Sequence, residues 1–276
     1  MEKKIAIQIQ HDAHWREMLQ ITAESGFKFV SMGFGSSKVF HKDGWEKEMD
    51  EIGNELAKNG LRCVMTHTPY YDLLISAEKI DEVMERALLR CMTATGMLGG
   101  EISAVHPRSF LDGQAVDGKK SLAYNLKSFS VLAEEIGKYG AKLGVENLPQ
   151  FPGLPIPFYS CKTEDHIELI DKLDSENTCA VWDFGHSHLM GGDDVAAIRA
   201  LGKRIEGTHV HNNYWHDDSH FVPSMGTIDW NATLGAMKEN GYKGYLTLEV
   251  NYDYSFAIRS FIKHCYECVA ELEKKL

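Results

Sequence analysis

Histidine and carboxylate residues recur at the ends of six apolar, β-branched runs. The runs are VMTHTPY with His67, AVHPR with His106, GVENLP with Glu146 and Asn147, VWDFGHSH with Asp183, His186 and His188, THVHNN with His209 and His211, and LTLEVN with Glu249 and Asn251. A lone histidine or glutamate of this kind is usually hydrogen-bonded or solvated structure. Six in succession mean something else if they converge, because bare carboxylates are costly to bury together unless a cation pairs them. Two or three carboxylate oxygens with an imidazole form a donor set of intermediate hardness. That set suits one divalent ion, Mn, Mg, Co or Zn. Thiolate ligation is not indicated. The six cysteines are scattered, and the one close pair, Cys265 and Cys268, lies in an amphipathic stretch rather than at a strand-to-helix junction.

Convergence depends on the elements that carry these residues. Strands are expected at 5–10, 29–32, 62–67, 102–106, 142–146, 178–183, 205–211 and 245–250. Helices are expected at 15–25, 45–59, 79–98, 121–139, 163–173, 193–201, 230–240 and 256–276. Apolar residues at helical spacing, as in Leu122, Leu126, Phe129, Leu132, Ala133 and Ile136, mark the second set. Several helices run out at a glycine: Gly60, Gly140 and Gly241. Strict alternation of eight strands with helices implies a parallel sheet, since each crossover returns the chain to the same edge. Eight is also the number that closes a filled barrel. An open doubly wound sheet is the alternative, but the first strand leads into Gln8-Ile9-Gln10-His11-Asp12 and not into a glycine-rich phosphate loop. The expected fold is therefore α/β: a single (β/α)8 TIM barrel over residues 1–276, a parallel eight-stranded barrel with outer helices. In such a barrel, functional groups collect at the C-terminal strand ends, where the six polar segments fall.

The net charge of −11, from 40 acidic and 29 basic residues, disfavours a nucleic-acid backbone or an anionic membrane as partner. No apolar run approaches a membrane span, and the start MEKKIAIQIQ turns polar too soon for a signal segment, so a cytoplasmic location is expected. Residues 149–161, PQFPGLPIPFYSC, hold four of the seven prolines with Phe151, Phe158 and Tyr159. Prolines stiffen such a loop, which reads as a pocket wall or lid, or as a subunit contact in a homo-oligomer.

His67-Thr-Pro-Tyr, Glu146-Asn147, Asp183-Phe-Gly-His186, His209-Val-His211-Asn and Glu249 together resemble the xylose isomerase-like TIM-barrel superfamily, and within it the sugar phosphate isomerase/epimerase group. The segment DDSHFVPSMGTIDW, from Asp217 to Trp230, is similar to one of that group's segments, and the resemblance covers nearly the whole chain in order. It implies one divalent metal held as in ketose 3-epimerases, by two glutamates, an aspartate and a histidine. These fall on Glu146, Asp183, His211 and Glu249. By the same resemblance His186 would touch a substrate hydroxyl, and His209 would orient or pack more deeply. His67 and His106 would be further substrate contacts. Arg108 could reach an anion, and Trp182, with Tyr214 and Trp215, could wall a substrate bulkier than a bare sugar. The implied activity is a sugar or sugar-derivative isomerase or epimerase acting on a small carbohydrate or related polyol. The ion acidifies the C–H next to a bound carbonyl, and Glu146 and Glu249 move the proton as catalytic bases.

Two neighbouring activities use the same residue types. A lyase or dehydratase on a keto-sugar or keto-cyclitol begins with the same proton abstraction. Endonuclease IV-like phosphodiesterases use up to three zinc ions, and additional ligands for them stand at His67, His106, His186, Asp218 and His220. Against the latter stands the absence of a basic stripe. The chain also departs from the ketose epimerase pattern. Asp217 replaces an arginine six residues after His211, the second strand ends Ser31-Met32-Gly33 where relatives place an acid, and Ser224-Met225 replaces proline-glycine. These departures point away from a free ketose and from a sugar phosphate.

Overall fold

A computed structural model of the chain describes residues 3–76, 81–113, 115–150, 157–252, 254 and 257–276. Eight parallel strands close on themselves: β1 (Ile5–Gln10), β2 (Phe29–Gly33), β3 (Arg62–His67), β4 (Ile102–Val105), β5 (Lys142–Glu146), β6 (Thr178–Asp183), β7 (Ile205–Val210) and β8 (Leu246–Leu248). Each pairs with its neighbours in sequence, and β8 returns to β1 with Leu246 opposite Ile5 and Leu248 opposite Ile7. The barrel expected from the alternation is the barrel found.

Nine helices lie among the described residues: α1 (Trp15–Ser25), α2 (Trp45–Lys58), α3 (Glu82–Met97), α4 (Gly118–Gly137), α5 (Thr163–Leu173), α6 (Phe184–Leu189), α7 (Asp194–Leu201), α8 (Trp230–Glu239) and α9 (Ile258–Glu273). Aspartates start five of them. The side chains of Asp81, Asp117, Asp183, Asp193 and Asp229 accept backbone N–H groups of the first turn, the donors a helix start leaves unpaired. None of these helices is long and apolar enough to cross a membrane.

Strand alternation sorts the side chains into two layers. Ile5, Ile7 and Ile9 of β1 face the helices and join the large outer core, where full burial of each contributes about 1.5–3 kcal/mol. Ala6, Phe29, Met65, Ile102, Ala104, Cys179 and Val181 fill the interior. Gly144 and Gly207 leave room there, since a Cβ on Gly144 would stand 2.4 Å from Val181 and one on Gly207 2.8 Å from Met65. This apolar plug is the floor of the polar layer above it.

The structure differs from the expected elements mainly at the strand ends. The fourth and seventh strands stop at Val105 and Val210, short of His106 and His211. Residues 184–189, which follow the expected sixth strand and belong to no expected element, form the short helix α6, because the Asp183 carboxylate accepts the His186 N–H at 2.6 Å. Short strands at Leu74–Ile75, Ser109–Asp112 and Ala115–Val116 form a small separate sheet that periodicity did not foresee. The starts of the third and eighth expected helices, residues 79–80 and 256, lie outside the described residues, as do 151–156 of the proline-rich loop with Phe151.

Candidate metal centre

Above the apolar floor, the next inward position of nearly every strand is polar. Gln8, Ser31, His67, Glu146, Asp183 and His209 come from β1, β2, β3, β5, β6 and β7, and Glu249 directly follows β8. All are buried, with Glu146, Asp183 and His209 at 0% exposure and Glu249 at 8%. His106, His186, His211, Asp218 and His220 join them from the loops and α6.

The acidic and imidazole groups fall into three adjoining sets, each with its ligand atoms within 4.8 Å of one another: Glu146, Asp183, His209 and Glu249; His67, His106 and Glu146; and His186, His211, Asp218 and His220. Glu146 is shared by the first two. His209 Nδ1 lies 3.0 Å from Glu146 Oε1 and 3.3 Å from Glu249 Oε2. His211 Nε2 lies 3.0 Å from Asp183 Oδ1, and so ties the third set to the first. His67 and His106 Nε2 stand 3.5 and 3.3 Å from Glu146 Oε2 and 3.2 Å from each other.

Three of these imidazoles are held from behind. The Nδ1–H of His67 donates to Thr68 O at 2.9 Å, that of His186 to Asn147 O at 2.9 Å, and that of His220 to Glu249 O at 2.8 Å. A carbonyl only accepts, so in each ring Nε2 is the nitrogen turned into the cluster, the arrangement that orients a ligating histidine. Glu146 Oε2 and Asp218 Oδ1, two carboxylate oxygens of these sets, are buried without a hydrogen-bond partner among the described residues. Convergent oxygens, aimed imidazoles and two unsatisfied buried carboxylate oxygens fit a divalent cation, because a buried carboxylate oxygen without a partner is costly unless a cation pairs it.

The charges are mutually dependent. Burial pushes the Glu146 carboxyl up, but His209 and His106 outweigh it and hold it well below the ordinary carboxylate value. Asp183 and Glu249 are lowered in the same way against burial, chiefly by His186 and His211 for the first and His209 and His220 for the second. Burial pushes His209 down, yet Glu146 and Glu249 bring it up to about 9; His220 rises to about 10 against burial, through Asp218 and Glu249. His186 is likewise raised by Asp183 and Asp218. In His106 burial prevails over Glu146, and the ring is shifted down.

The structure thus gathers Glu146, Asp183, Glu249, His67, His106, His186, His211, Asp218 and His220. The imidazole among the three carboxylates is that of His209, whereas His211 lies one layer higher, against Asp183 and stacked on His220 with ring centroids 3.9 Å apart. Two expected contacts are elsewhere. Trp182 is buried in the outer core, because the residue before an inward Asp183 must face the helices. Arg108 is also buried, with its guanidinium bonded to Glu85 of α3 at 2.7 Å and Tyr124 of α4 at 2.6 Å and stacked over Tyr71. Trp215 is 55% exposed and packs on His188.

Sequence reasoning passed over Gln8, whose Nε2 donates to Glu249 Oε1 at 2.6 Å while its Oε1 accepts from Ser31 at 3.2 Å. Its signal was there, an amide at an inward position of an isoleucine-rich strand. It also passed over the role of Asn147, whose side chain bonds the Asp183 backbone in both directions, at 2.8 and 2.9 Å.

The family model for the xylose isomerase-like TIM barrel matches residues 19–265. An inosose isomerase of Bacillus subtilis is 29% identical over 141 residues, covering 48% of this chain and 47% of that protein, so the match spans about half of that relative's length. An inosose dehydratase of Clostridium perfringens is 22% identical over 267 residues, 84% of this chain and 85% of that one. The solved structure of an L-ribulose 3-epimerase superposes with a TM-score of 0.76 at 16% identity, over 99% of this chain and 95% of the other, a likeness of fold.

Proposed function

The chain belongs to the xylose isomerase-like TIM barrel family, and from that premise we propose that it is a divalent-metal-dependent isomerase or epimerase of a small sugar derivative or keto-polyol. The observation that carries this reading is the buried carboxylate trio of Glu146, Asp183 and Glu249 with imidazoles against it. Glu146, Asp183, His211 and Glu249 would hold the ion, with His209 beneath them balancing the charge of both glutamates. A divalent cation bound there would supply the positive charge that acidifies the C–H beside a substrate carbonyl.

The chain's own groups do the rest. Glu146 and Glu249 enter the layer from β5 and from the end of β8, two separate positions on the ring of strands. One carboxylate can take a proton from one face of a substrate carbon and the other can return it to the opposite face, as epimerisation requires. Isomerisation can use a single base. Both are held ionised, the form a base needs. His186, with Nδ1 fixed by Asn147 and Nε2 3.2 Å from Asp218, is placed to donate to a substrate hydroxyl. The inosose dehydratase relative supports a variant of this reading, in which the same proton abstraction is followed by loss of a β-hydroxyl.

The test is hydrogen exchange. Metal-stripped protein reloaded separately with Mn, Mg, Co or Zn is incubated with inososes and ketoses in D2O. Deuterium at the carbon next to the carbonyl is then followed by NMR, in the wild type and in Glu146→Gln and Glu249→Gln. Metal-dependent exchange lost in both variants is expected. A second reading follows from the three adjoining ligand sets, which would accommodate up to three zinc ions for phosphodiester hydrolysis. Zinc-dependent nicking of abasic duplex DNA without any C–H exchange would establish that reading and overturn the first.

A further inference from the structure

Outside the barrel mouth, three polar atoms with no hydrogen-bond partner among the described residues line one cleft. They are Ser160 Oγ, His166 Nδ1 and Trp182 Nε1. The cleft has a volume of about 80 Å³, lies between α5 and the α6–α7 segment, and opens to solvent beside Gly192 and Asp193. Its deep wall is fully built, with Ser160 and His166 0% exposed and Trp182 3%. From this geometry we infer a binding subsite for a neutral hydroxyl-bearing ligand, either ordered water or a small polyol.

The hydrogen-bond sense of each wall group dictates the ligand. His166 Nε2 is 2.9 Å from Val145 O and must donate to it, so Nδ1 presents a lone pair to the cleft. Burial keeps that ring neutral, with its value pushed down to about 4. Trp182 Nε1–H can only donate, and the Ser160 hydroxyl can do either. The occupant must therefore donate and accept at once, which a hydroxyl does. A metal ion or ammonium has nothing to offer the indole N–H, and an anion nothing to offer the His166 lone pair. The acidic mouth at Asp193 and Asp194 disfavours an anion further. A water needs roughly 10–15 Å³ of such space, so several waters or a three-carbon polyol fit. Leaving all three atoms unsatisfied would offset a substantial part of a domain's net stability.

Backbone conformation supports a built site. Ser160 has φ +65°, a left-handed conformation costly for a non-glycine residue and kept only where the surroundings enforce it. The cleft also touches Asn147, the residue that clamps Asp183, so its occupant braces the back of the proposed metal centre without depending on that assignment.

Indole NMR tests this directly. Protein labelled with 15N-tryptophan gives one side-chain N–H signal for each of the five tryptophans, and Trp182→Phe identifies the relevant one. Glycerol and water are the probes. A saturable shift of the Trp182 signal with glycerol, its midpoint weakened about fivefold in Ser160→Ala by loss of one hydrogen bond, assigns a polyol subsite. A water cross-peak at Trp182 that glycerol does not alter assigns ordered water. The absence of both, with the other four indole signals unchanged in the variants as proof of folding, overturns the inference.

Discussion

Replacing Gly185 by alanine tests the proposed centre through a single methyl group. Gly185 lies in α6 under His211, and a Cβ there would stand 1.9 Å from His211 Cε1, 2.3 Å from Nδ1 and 2.5 Å from Nε2. To reach ordinary contact at 3.4 Å, the ring must retreat by about 1.5 Å. It has little room to do so, being fully buried between Asp183 and the stacked ring of His220. Overpacking of this kind costs about 1–3 kcal/mol. If the strain is relieved by withdrawing His211 from the ion, metal affinity falls about 5- to 150-fold. The sign is diagnostic, because alanine normally improves a helix by up to about 1 kcal/mol over glycine. Gly53 of α2 supplies the control: a Cβ there would meet nothing within 4 Å, and Gly53→Ala should raise Tm by about 2–4 °C with metal binding unchanged. The assay is competitive titration of the stripped protein with a fluorescent zinc or manganese chelator, alongside thermal melts with and without metal. If Gly185→Ala binds metal within twofold of wild type, His211 is not a ligand and the assignment fails.

Three further outcomes follow. Gln8→Leu removes the amide that bonds Glu249, and should weaken metal binding by about 10–100-fold, read by the same titration, with the fold intact by circular dichroism. His209 and His220 have folded values of about 9 and about 10, above the ordinary 6.5, so the stability they add to the metal-free chain is complete below pH 6.5 and is lost as pH rises through 9 to 10. Its Tm should fall across that window while metal affinity rises as protons leave the imidazoles; a flat Tm would refute the imidazolium–carboxylate network. Arg108→Met should lower stability by about 1.5–3 kcal/mol through loss of the Glu85 pair and leave metal-dependent exchange within twofold, whereas a raised KM with unchanged Tm would return Arg108 to the substrate.

Much of this molecule was legible along the chain because strand and helix periodicities are local. The alternation of β-branched runs with amphipathic ones announced eight β–α units, and the polar ends of the last six strands announced a convergent cluster of carboxylates and imidazoles. Trp182 was decidable from the same rule, since a neighbour of an inward aspartate in a strand faces outward. Helix α6 was harder to see, because it depends on the Asp183 carboxylate doing two jobs, capping the helix and facing the cluster.

Cross-strand register is where local reading stops. His209 and His211 both point inward from the β7 segment, and no spacing says which of them meets Glu146 and Glu249. The closed barrel decides it by setting His209 opposite Asp183, because stagger is a property of all eight strands together. Arg108 was lost to Glu85 and Tyr124 for a related reason: the packing of α3 against α4 chose its partners. The sequence by itself determined the fold, the layer and the chemistry of the clustered side chains, since these follow from short-range period and side-chain type. Only the tertiary structure decided which histidine sits among the carboxylates, and that Ser160, His166 and Trp182 share one cleft, since contacts between distant segments exist only once the chain has closed.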